Sequence, residues 1–171
     1  DKGRRTLPGP LGGFRLALVG DLLALPDSSI HLPGLMALST TELEAMTDKL
    51  NLIAGATGIT RFVTHPDGVE DARWRILGSR LSPEIAVSIE NMDLRKRSFR
   101  TLAELDSLID THPYLTVTID ICHWVEQGLA SSSAELIEFM RRRRDRIDGI
   151  HFSVPRTQSS VYRRFPEIET A

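Results

Sequence analysis

Residues 115–123 read Leu-Thr-Val-Thr-Ile-Asp-Ile-Cys-His, an apolar run followed by two side chains that can bind a metal, Asp120 and His123. Four other short apolar runs in the chain also end in a histidine or an acid. The five end positions lie about 30 residues apart, which is the length of a βα unit. They are His31, His65, Glu90, Asp120 and His151. This spacing predicts a series of parallel strands separated by helices.

The carboxyl ends of parallel strands gather at one face of a sheet or barrel, and functional side chains collect there. We therefore expect the five end residues and His123 to converge. Imidazoles and carboxylates together are the ligands of divalent metals such as Mn, Co, Mg or Zn. Simpler roles are also compatible with the sequence: Asp120 could be a helix cap beside a surface His123, and His31 and His65, each close to a proline, could belong to turns.

The composition is that of a globular protein with one domain. The chain has 171 residues, 41% of them apolar, and a net charge of −2, which gives no overall electrostatic case for nucleic-acid binding. A single cysteine excludes an internal disulfide and fits a reducing, cytoplasmic location. No apolar stretch is long enough to cross a membrane.

Helix signals separate the predicted strands. Capping boxes begin at Ser39, Thr101 and Ser132, and they predict helices to about residues 56, 110 and 146. Two further helices are predicted over 14–24 and 69–77. The predicted strands cover 29–31, 60–64, 85–89, 115–119 and 147–151. Residues 1–13 are expected to be a loose leader, 14–154 the βα units, and 155–171 an irregular tail.

Two basic clusters call for different interpretations. Arg95, Lys96 and Arg100 follow Glu90 just before a predicted helix, so their side chains and the helix amides could bind a substrate anion, although solvated loop charges account for them equally well. The second cluster, Arg141–Arg144 with Arg146, points around a helix and is expected to be solvated. His112 is expected to be structural or solvent-exposed, and Cys122 is expected to have no nucleophilic role.

Several segments together resemble the xylose isomerase-like TIM barrels. They are His65-Pro-Asp-Gly, Ser88-Ile-Glu-Asn-Met-Asp through Leu105, Thr118-Ile-Asp-Ile-Cys-His123 and Ile150-His-Phe-Ser153. The resemblance covers about residues 14–154. The superfamily includes sugar isomerases and epimerases and zinc-dependent apurinic-site endonucleases.

The resemblance implies roles for individual residues. Glu90, Asp120 and His151 match metal ligands common to both branches. His123 matches a histidine that binds metal in the endonucleases and supports substrate in many isomerases, so Glu90 and His123 are the implied catalytic residues. His31 and His65 match additional histidines of the multi-zinc endonuclease site.

The chain departs from both patterns after His151. No Asp-x-His follows, and no further strand carries a late glutamate inward. A complete eightfold barrel needs roughly 250 residues, so the chain, which begins at Asp1, is expected to be a fragment with about five of eight βα units. It would have open barrel edges through which it could self-associate.

Three functions are compatible with these features. The first is a divalent-metal-dependent sugar or sugar-phosphate isomerase/epimerase-like protein, inactive in isolation if truncated. The second is a zinc-dependent endonuclease-like phosphodiesterase acting on DNA, which the near-neutral charge disfavours. The third is a non-catalytic barrel relic.

Overall fold

The structure is a computed structural model that describes residues 29–127 and 133–152. The predicted leader, the helix over 14–24, the capping residue Ser132 and the tail over 155–171 lie outside the described residues.

Strands and helices alternate along the described chain. The strands are β1 (Ser29–His31), β2 (Arg61–Thr64), β3 (Ala86–Glu90), β4 (Leu115–Asp120) and β5 (Ile147–His151). The helices are α1 (Thr40–Thr57), α2 (Asp71–Arg80), α3 (Leu102–Thr111), α4 (Ile121–Glu126) and α5 (Ser133–Arg142), with 3-10 turns at Leu35–Ala37 and Arg144–Arg146. The predicted α/β class is confirmed.

The five strands are parallel and follow the chain order β1-β2-β3-β4-β5. Because each connection joins neighbouring parallel strands through a helical segment, this is the arrangement of consecutive βα units in a TIM barrel. The register pairs Asp120 with His151 across β4 and β5, after an irregularity between Val117 and Thr118. Two of the predicted site residues therefore end neighbouring strands at the same level.

The described residues form two compact units, the first of residues 29–64 and 69–87, the second of residues 65–68, 88–127 and 133–152. In the first unit, the side chain of Asn51 on α1 donates to the carbonyl of Arg80 (2.9 Å) and accepts from the amide of Ser82 (2.9 Å). Arg80 also pairs with Asp48 at 3.0 Å. These bonds fix the end of α2 against α1. That the chain is one domain over residues 1–171 stays a prediction.

In the second unit, the apolar residues of β4 form much of a dry core. Leu115, Val117 and Ile119 are buried, as are Leu105 and Ile109 on α3. Burial of the strand on both faces is typical of a parallel sheet covered by helices. Such a core holds the strand ends in place, and the polar residues at those ends can then be positioned accurately.

The helices differ from the prediction at three places. Helix α2 covers Asp71–Arg80 instead of 69–77. The segment after Asp120, where no helix was predicted, forms α4, which Asp120 caps. The helix expected to reach residue 146 ends at Arg142 instead. His112 is buried at the C-terminus of α3, so the structural interpretation of this residue is confirmed.

The arginines after α5 are less solvated than expected. Arg143 pairs with Asp106 and Asp110, both at 2.7 Å. Arg146 donates to the backbone carbonyls of Ile109, His112 and Leu115. These two side chains connect α3 and β4 to the 3-10 turn, whereas Arg144 is 82% exposed and conforms to the solvated interpretation.

No helix in the described part of the chain is both long and apolar enough to span a bilayer.

Candidate functional site

Glu90 lies at the centre of a polar cluster in the second unit. It is the last residue of β3 and is only 3% exposed. The two carboxylate oxygens contact different imidazoles: Oε2 lies 3.3 Å from His65 Nε2, and Oε1 lies 3.2 Å from His151 Nδ1. Residues at the ends of three separate runs in the sequence thus meet at one carboxylate.

Asp120 provides a second buried carboxylate beside the first. It ends β4, and Oδ1 accepts a hydrogen bond from the backbone amide of His123 at 2.9 Å, which caps α4. Burial raises the pKa of the Asp120 carboxyl; the His123 amide opposes this rise, and the neighbouring Glu90 carboxyl adds to it. The contribution of Glu90 shows that the two carboxylates are close enough to repel when both are ionised.

His123 completes the cluster from the first turn of α4. Nδ1 lies 4.0 Å from Glu90 Oε1 and 3.9 Å from Asp120 Oδ2. The same nitrogen lies 2.8 Å from the backbone carbonyl of Asn91. Because a carbonyl oxygen can only accept, Nδ1 must carry the proton in this contact. Nε2 is then the nitrogen with a lone pair in the neutral ring, and it lies 3.8 Å from Asp93 Oδ2.

The donor set suits a divalent cation. Glu90, Asp120 and His123 each offer a ligand atom, and these atoms all lie within 4.8 Å of one another. A divalent cation would offset the repulsion between two buried carboxylates, which are costly to bury as ions without a counter-charge. Oxygen and nitrogen ligands of this kind suit Mn, Co, Mg or Zn. The residues present therefore fit such an ion.

His31 belongs to the first unit. It ends β1, is exposed, and its Nδ1 lies 3.0 Å from the carbonyl of Leu32. The additional metal-binding role implied for His31 stays a prediction.

The basic residues after Glu90 lie in a loop held by several hydrogen bonds. Asp67 Oδ1 accepts from the backbone amides of Arg97 (3.1 Å) and Ser98 (3.2 Å). The guanidinium of Arg95 is paired with Asp93, with Nη2 2.5 Å from Oδ2, and this bond lowers the pKa of Asp93. Arg95 is thus held against an acid of the cluster, although its side chain is mostly exposed.

A capping box occupies part of the helix end that follows these basic residues. Glu104 Oε2 accepts from the amides of Arg100 (3.1 Å) and Thr101 (3.0 Å), and Thr101 caps the amide of Glu104. These three amides are therefore engaged within the protein. Anion binding by the side chains of Arg95, Lys96 and Arg100 stays a prediction.

Two residues of the cluster are not among the predicted site residues. Asn91 and Asp93 are both buried and both contact His123 or its neighbours. Both belong to the segment Glu90-Asn-Met-Asp93, whose position at a strand end is the signal in the sequence. Nothing in that segment shows which of the residues after the strand turns inward.

Sequence comparisons give no relative: no protein-family model and no curated protein matches the chain. Structural comparisons, in contrast, find several solved structures that match this chain. A Bacillus anthracis protein described as the 3-DHS dehydratase AsbF, involved in petrobactin synthesis, matches 84% of this chain and 55% of its own length, with 17% identity and a TM-score of 0.50. The crystal structure of AsfvAP:AG matches 89% of this chain and 74% of its own, with 12% identity and a TM-score of 0.53.

A third match is a protein from Anabaena variabilis described as a sugar phosphate isomerase/epimerase, with 15% identity and a TM-score of 0.47 over 68% of this chain. The chain spans 44% of that protein and 55% of AsbF. Identities this low show the fold and not the activity. The two matches with a TM-score of 0.50 or above share the overall fold of this chain. The chain therefore has the parallel, alternating βα fold of an incomplete TIM barrel.

Proposed function

We propose that the chain belongs to a divalent-metal-dependent sugar or sugar-phosphate isomerase/epimerase-like protein. The observation that carries the proposal is the pair of buried carboxylates, Glu90 and Asp120, with ligand atoms within 4.8 Å of one another and of His123. Glu90, Asp120 and His151 would hold the ion, and His123 would support the substrate beside it. A bound divalent cation would polarise a sugar carbonyl and its neighbouring hydroxyl.

The chain's own residues suggest how a proton would be handled. With Nδ1 donating to Asn91, neutral His123 has its lone pair on Nε2, where it could accept a proton or bind a substrate hydroxyl. Glu90 would serve as the second acid–base group, because its carboxylate already contacts two imidazoles. Arg95, Lys96 and Arg100 are the proposed contacts for a substrate phosphate.

Metal content and affinity are the first test. We would measure metal per chain by mass spectrometry and binding of Mn²⁺ and Zn²⁺ by calorimetry. Glu90→Gln preserves the shape and removes the charge, so it should lose much of the affinity. Glu135→Gln, an exposed acid on α5, is the matched control and should bind as the parent chain does. Unchanged binding in Glu90→Gln would contradict the shared site.

The reaction class is tested by exchange with solvent. An isomerase or epimerase removes a proton beside a carbonyl, so the metal-loaded protein in D₂O should place deuterium on a sugar phosphate at that carbon, detectable by NMR. Glu90→Gln should abolish the exchange. If the metal-loaded chain exchanges no proton in any of the ketose and aldose phosphates tried, the isomerase assignment of this chain fails.

A second candidate is the zinc-dependent endonuclease-like phosphodiesterase. One observation favours it: His65 and His151 both contact Glu90, so the cluster has more imidazoles than a single ion needs. Two or three Zn per chain, with cleavage of a duplex containing an abasic site, would support this alternative. About one Mn, Co or Mg per chain would support the isomerase, and no bound metal would indicate the non-catalytic relic.

A further inference from the structure

Asn91, the residue directly after Glu90, forms two hydrogen bonds with the backbone of a single residue. It is 1% exposed. Its side-chain Oδ1 accepts from the amide of Asp120 at 2.7 Å, and its Nδ2 donates to the carbonyl of the same Asp120 at 3.0 Å. Since the amide must donate and the carbonyl must accept, these two partners fix the orientation of the carboxamide.

The backbone of Asn91 holds a second residue of the cluster. Its carbonyl accepts from His123 Nδ1 at 2.8 Å. One residue therefore binds the main chain of Asp120 with its side chain and the ring of His123 with its main chain. This contact places the proton on Nδ1 of His123 and therefore leaves the lone pair on Nε2.

The backbone of Asp120 presents a donor and an acceptor to residue 91, and a carboxamide side chain matches both. β3 ends at Glu90 and β4 ends at Asp120, so Asn91 is the first residue after its strand. The carboxamide supplies one acceptor to the amide of Asp120 and one donor to its carbonyl. Aspartate would keep the bond from the Asp120 amide but would place its second acceptor oxygen against the Asp120 carbonyl, and alanine would leave a buried amide and a buried carbonyl without this partner.

We propose that Asn91 is the positioning residue of the metal site: its carboxamide fixes Asp120, and its carbonyl fixes the tautomer of His123. This inference rests on the proposed function, because the geometry matters only if Asp120 holds the ion and His123 supports the substrate beside it. Asn91 itself is not a ligand, since both side-chain polar atoms are already bonded within the protein.

The chain contains a matched control for this arrangement. Asn51 also makes two bonds with backbone groups, at 2.9 Å each, but its partners are Arg80 and Ser82, which are not site residues. Asn51→Ala should therefore lower the melting temperature and leave the metal site unchanged. Asn91→Ala should also lower the melting temperature, but it should in addition weaken Co²⁺ binding about 10- to 100-fold and change the visible Co²⁺ absorption bands.

The substitution Asn91→Asp distinguishes a positioning role of Asn91 from a purely electrostatic one. The substitution adds a negative charge next to the ligands, so a purely electrostatic role predicts tighter Co²⁺ binding. Positioning predicts weaker binding, because one of the two bonds to Asp120 is replaced by repulsion. Co²⁺ affinity and absorption bands that match the parent chain in folded Asn91→Ala would overturn the proposal, and so would tighter binding by Asn91→Asp. If both variants fail to fold, the role of Asn91 is to stabilise the fold, and the positioning proposal is rejected.

The unmodified, metal-free chain gives an independent test. The ¹⁵N shifts of His123, assigned with His123→Gln, should show the proton on Nδ1; a proton on Nε2 alone would overturn the proposal. The failure of the proposed function is recognised separately, because then the parent chain itself would bind no metal. Parent-like metal binding in both Asn91 variants would reject only the positioning role.

Discussion

At the scale of single residues, the cluster contains two buried carboxylates, and burying carboxylates side by side destabilises a fold. Glu90 and Asp120 are each 3% exposed, and burial together with the neighbouring Glu90 raises the pKa of Asp120. Hydrogen bonds compensate part of this cost, among them the bond from the His123 amide to Asp120. A divalent cation would relieve the remaining repulsion. Without metal, the two carboxylates should therefore lower the free energy of unfolding of the chain.

Asp120→Asn tests this conflict between stability and binding. Asparagine caps a helix as well as aspartate does, so the cap on α4 should survive while the charge is removed. We expect the metal-free variant to melt at or above the temperature of the parent chain. The stabilisation by metal, about 2.7 kcal/mol at a concentration 100 times Kd, should be lost.

Thermal unfolding with and without Mn²⁺ measures both effects in one experiment. Asp148→Asn, on β5, is a suitable control for the loss of one acid. A metal-free Asp120→Asn variant that melts well below the parent chain would show that the carboxylate stabilises the fold. That result would exclude the interpretation that carboxylate repulsion destabilises the metal-free chain.

The sequence identified Asp120 and His123 as residues of the cluster but not Asn91 and Asp93. Asp120 and His123 follow an apolar run that predicts a buried strand, so their placement at its end was predictable. The bonds made by Asn91 depend on where β3 stops relative to β4, which no local pattern encodes. The role of Arg146 was missed for a similar reason, because a run of arginines does not reveal which one meets backbone carbonyls.

Arg146 provides a second test at this scale. Its guanidinium satisfies the carbonyls of Ile109, His112 and Leu115 at the junction of α3 and β4. Removing it leaves buried acceptors without this donor, which costs about 1–3 kcal/mol. Arg146→Ala should therefore lower the free energy of unfolding by that amount in urea. Arg144→Ala, two residues away and exposed, should change it by less than about 0.5 kcal/mol; equal effects of the two substitutions would refute the assignment.

At the scale of elements, the capping boxes account for most of what the sequence predicted. Helix α1 begins directly after Ser39 and α3 directly after Thr101, and both boxes are formed in full. The strands were located to within about one residue, because continuous apolar runs bounded by polar residues leave few alternatives. Helix α4 was not predicted because it has only six residues, although the sequence allowed Asp120 to be a helix cap.

The box at α3 also predicts a dependence of stability on pH. Burial alone would raise the pKa of Glu104, but hydrogen bonds from Thr101 and from the amides of Phe99 and Arg100 outweigh it and lower the pKa. A lowered pKa in the folded state means that this stabilisation is present above the unfolded value of about 4.3 and is lost as the pH falls through the folded value.

Urea unfolding at two pH values tests the box. At pH 7, Glu104→Gln should be less stable than the parent chain. At acidic pH the difference should shrink, because the carboxylate of Glu104 takes up a proton as the pH falls through its lowered folded pKa. Thr101→Ala should cost about 1 kcal/mol at pH 7. A gap between Glu104→Gln and the parent chain that is constant across this range would exclude the ionised carboxylate as the source of stabilisation.

At the scale of the whole molecule, β1 and β5 are the outer strands of the described sheet. The outer strand β5 is poorly covered: Ile150 is 45% exposed, and Phe152, just after the strand, is 75% exposed. Alternate residues of a strand lie on one face, so these two side chains form an apolar pair on the face opposite His151. Open strand edges with exposed apolar side chains favour pairing between chains.

We therefore predict that the chain self-associates through β5. Light scattering after size exclusion should give a mass that rises with protein concentration, and the double substitution Ile150→Ser with Phe152→Ser should shift it towards the monomer. Leu52→Ser removes an equally exposed apolar side chain from α1 and should leave the mass unchanged. Because His151 lies in the same strand, metal binding by the double variant shows whether association and the site are independent. A constant monomeric mass at all concentrations would show that the edge of β5 is protected.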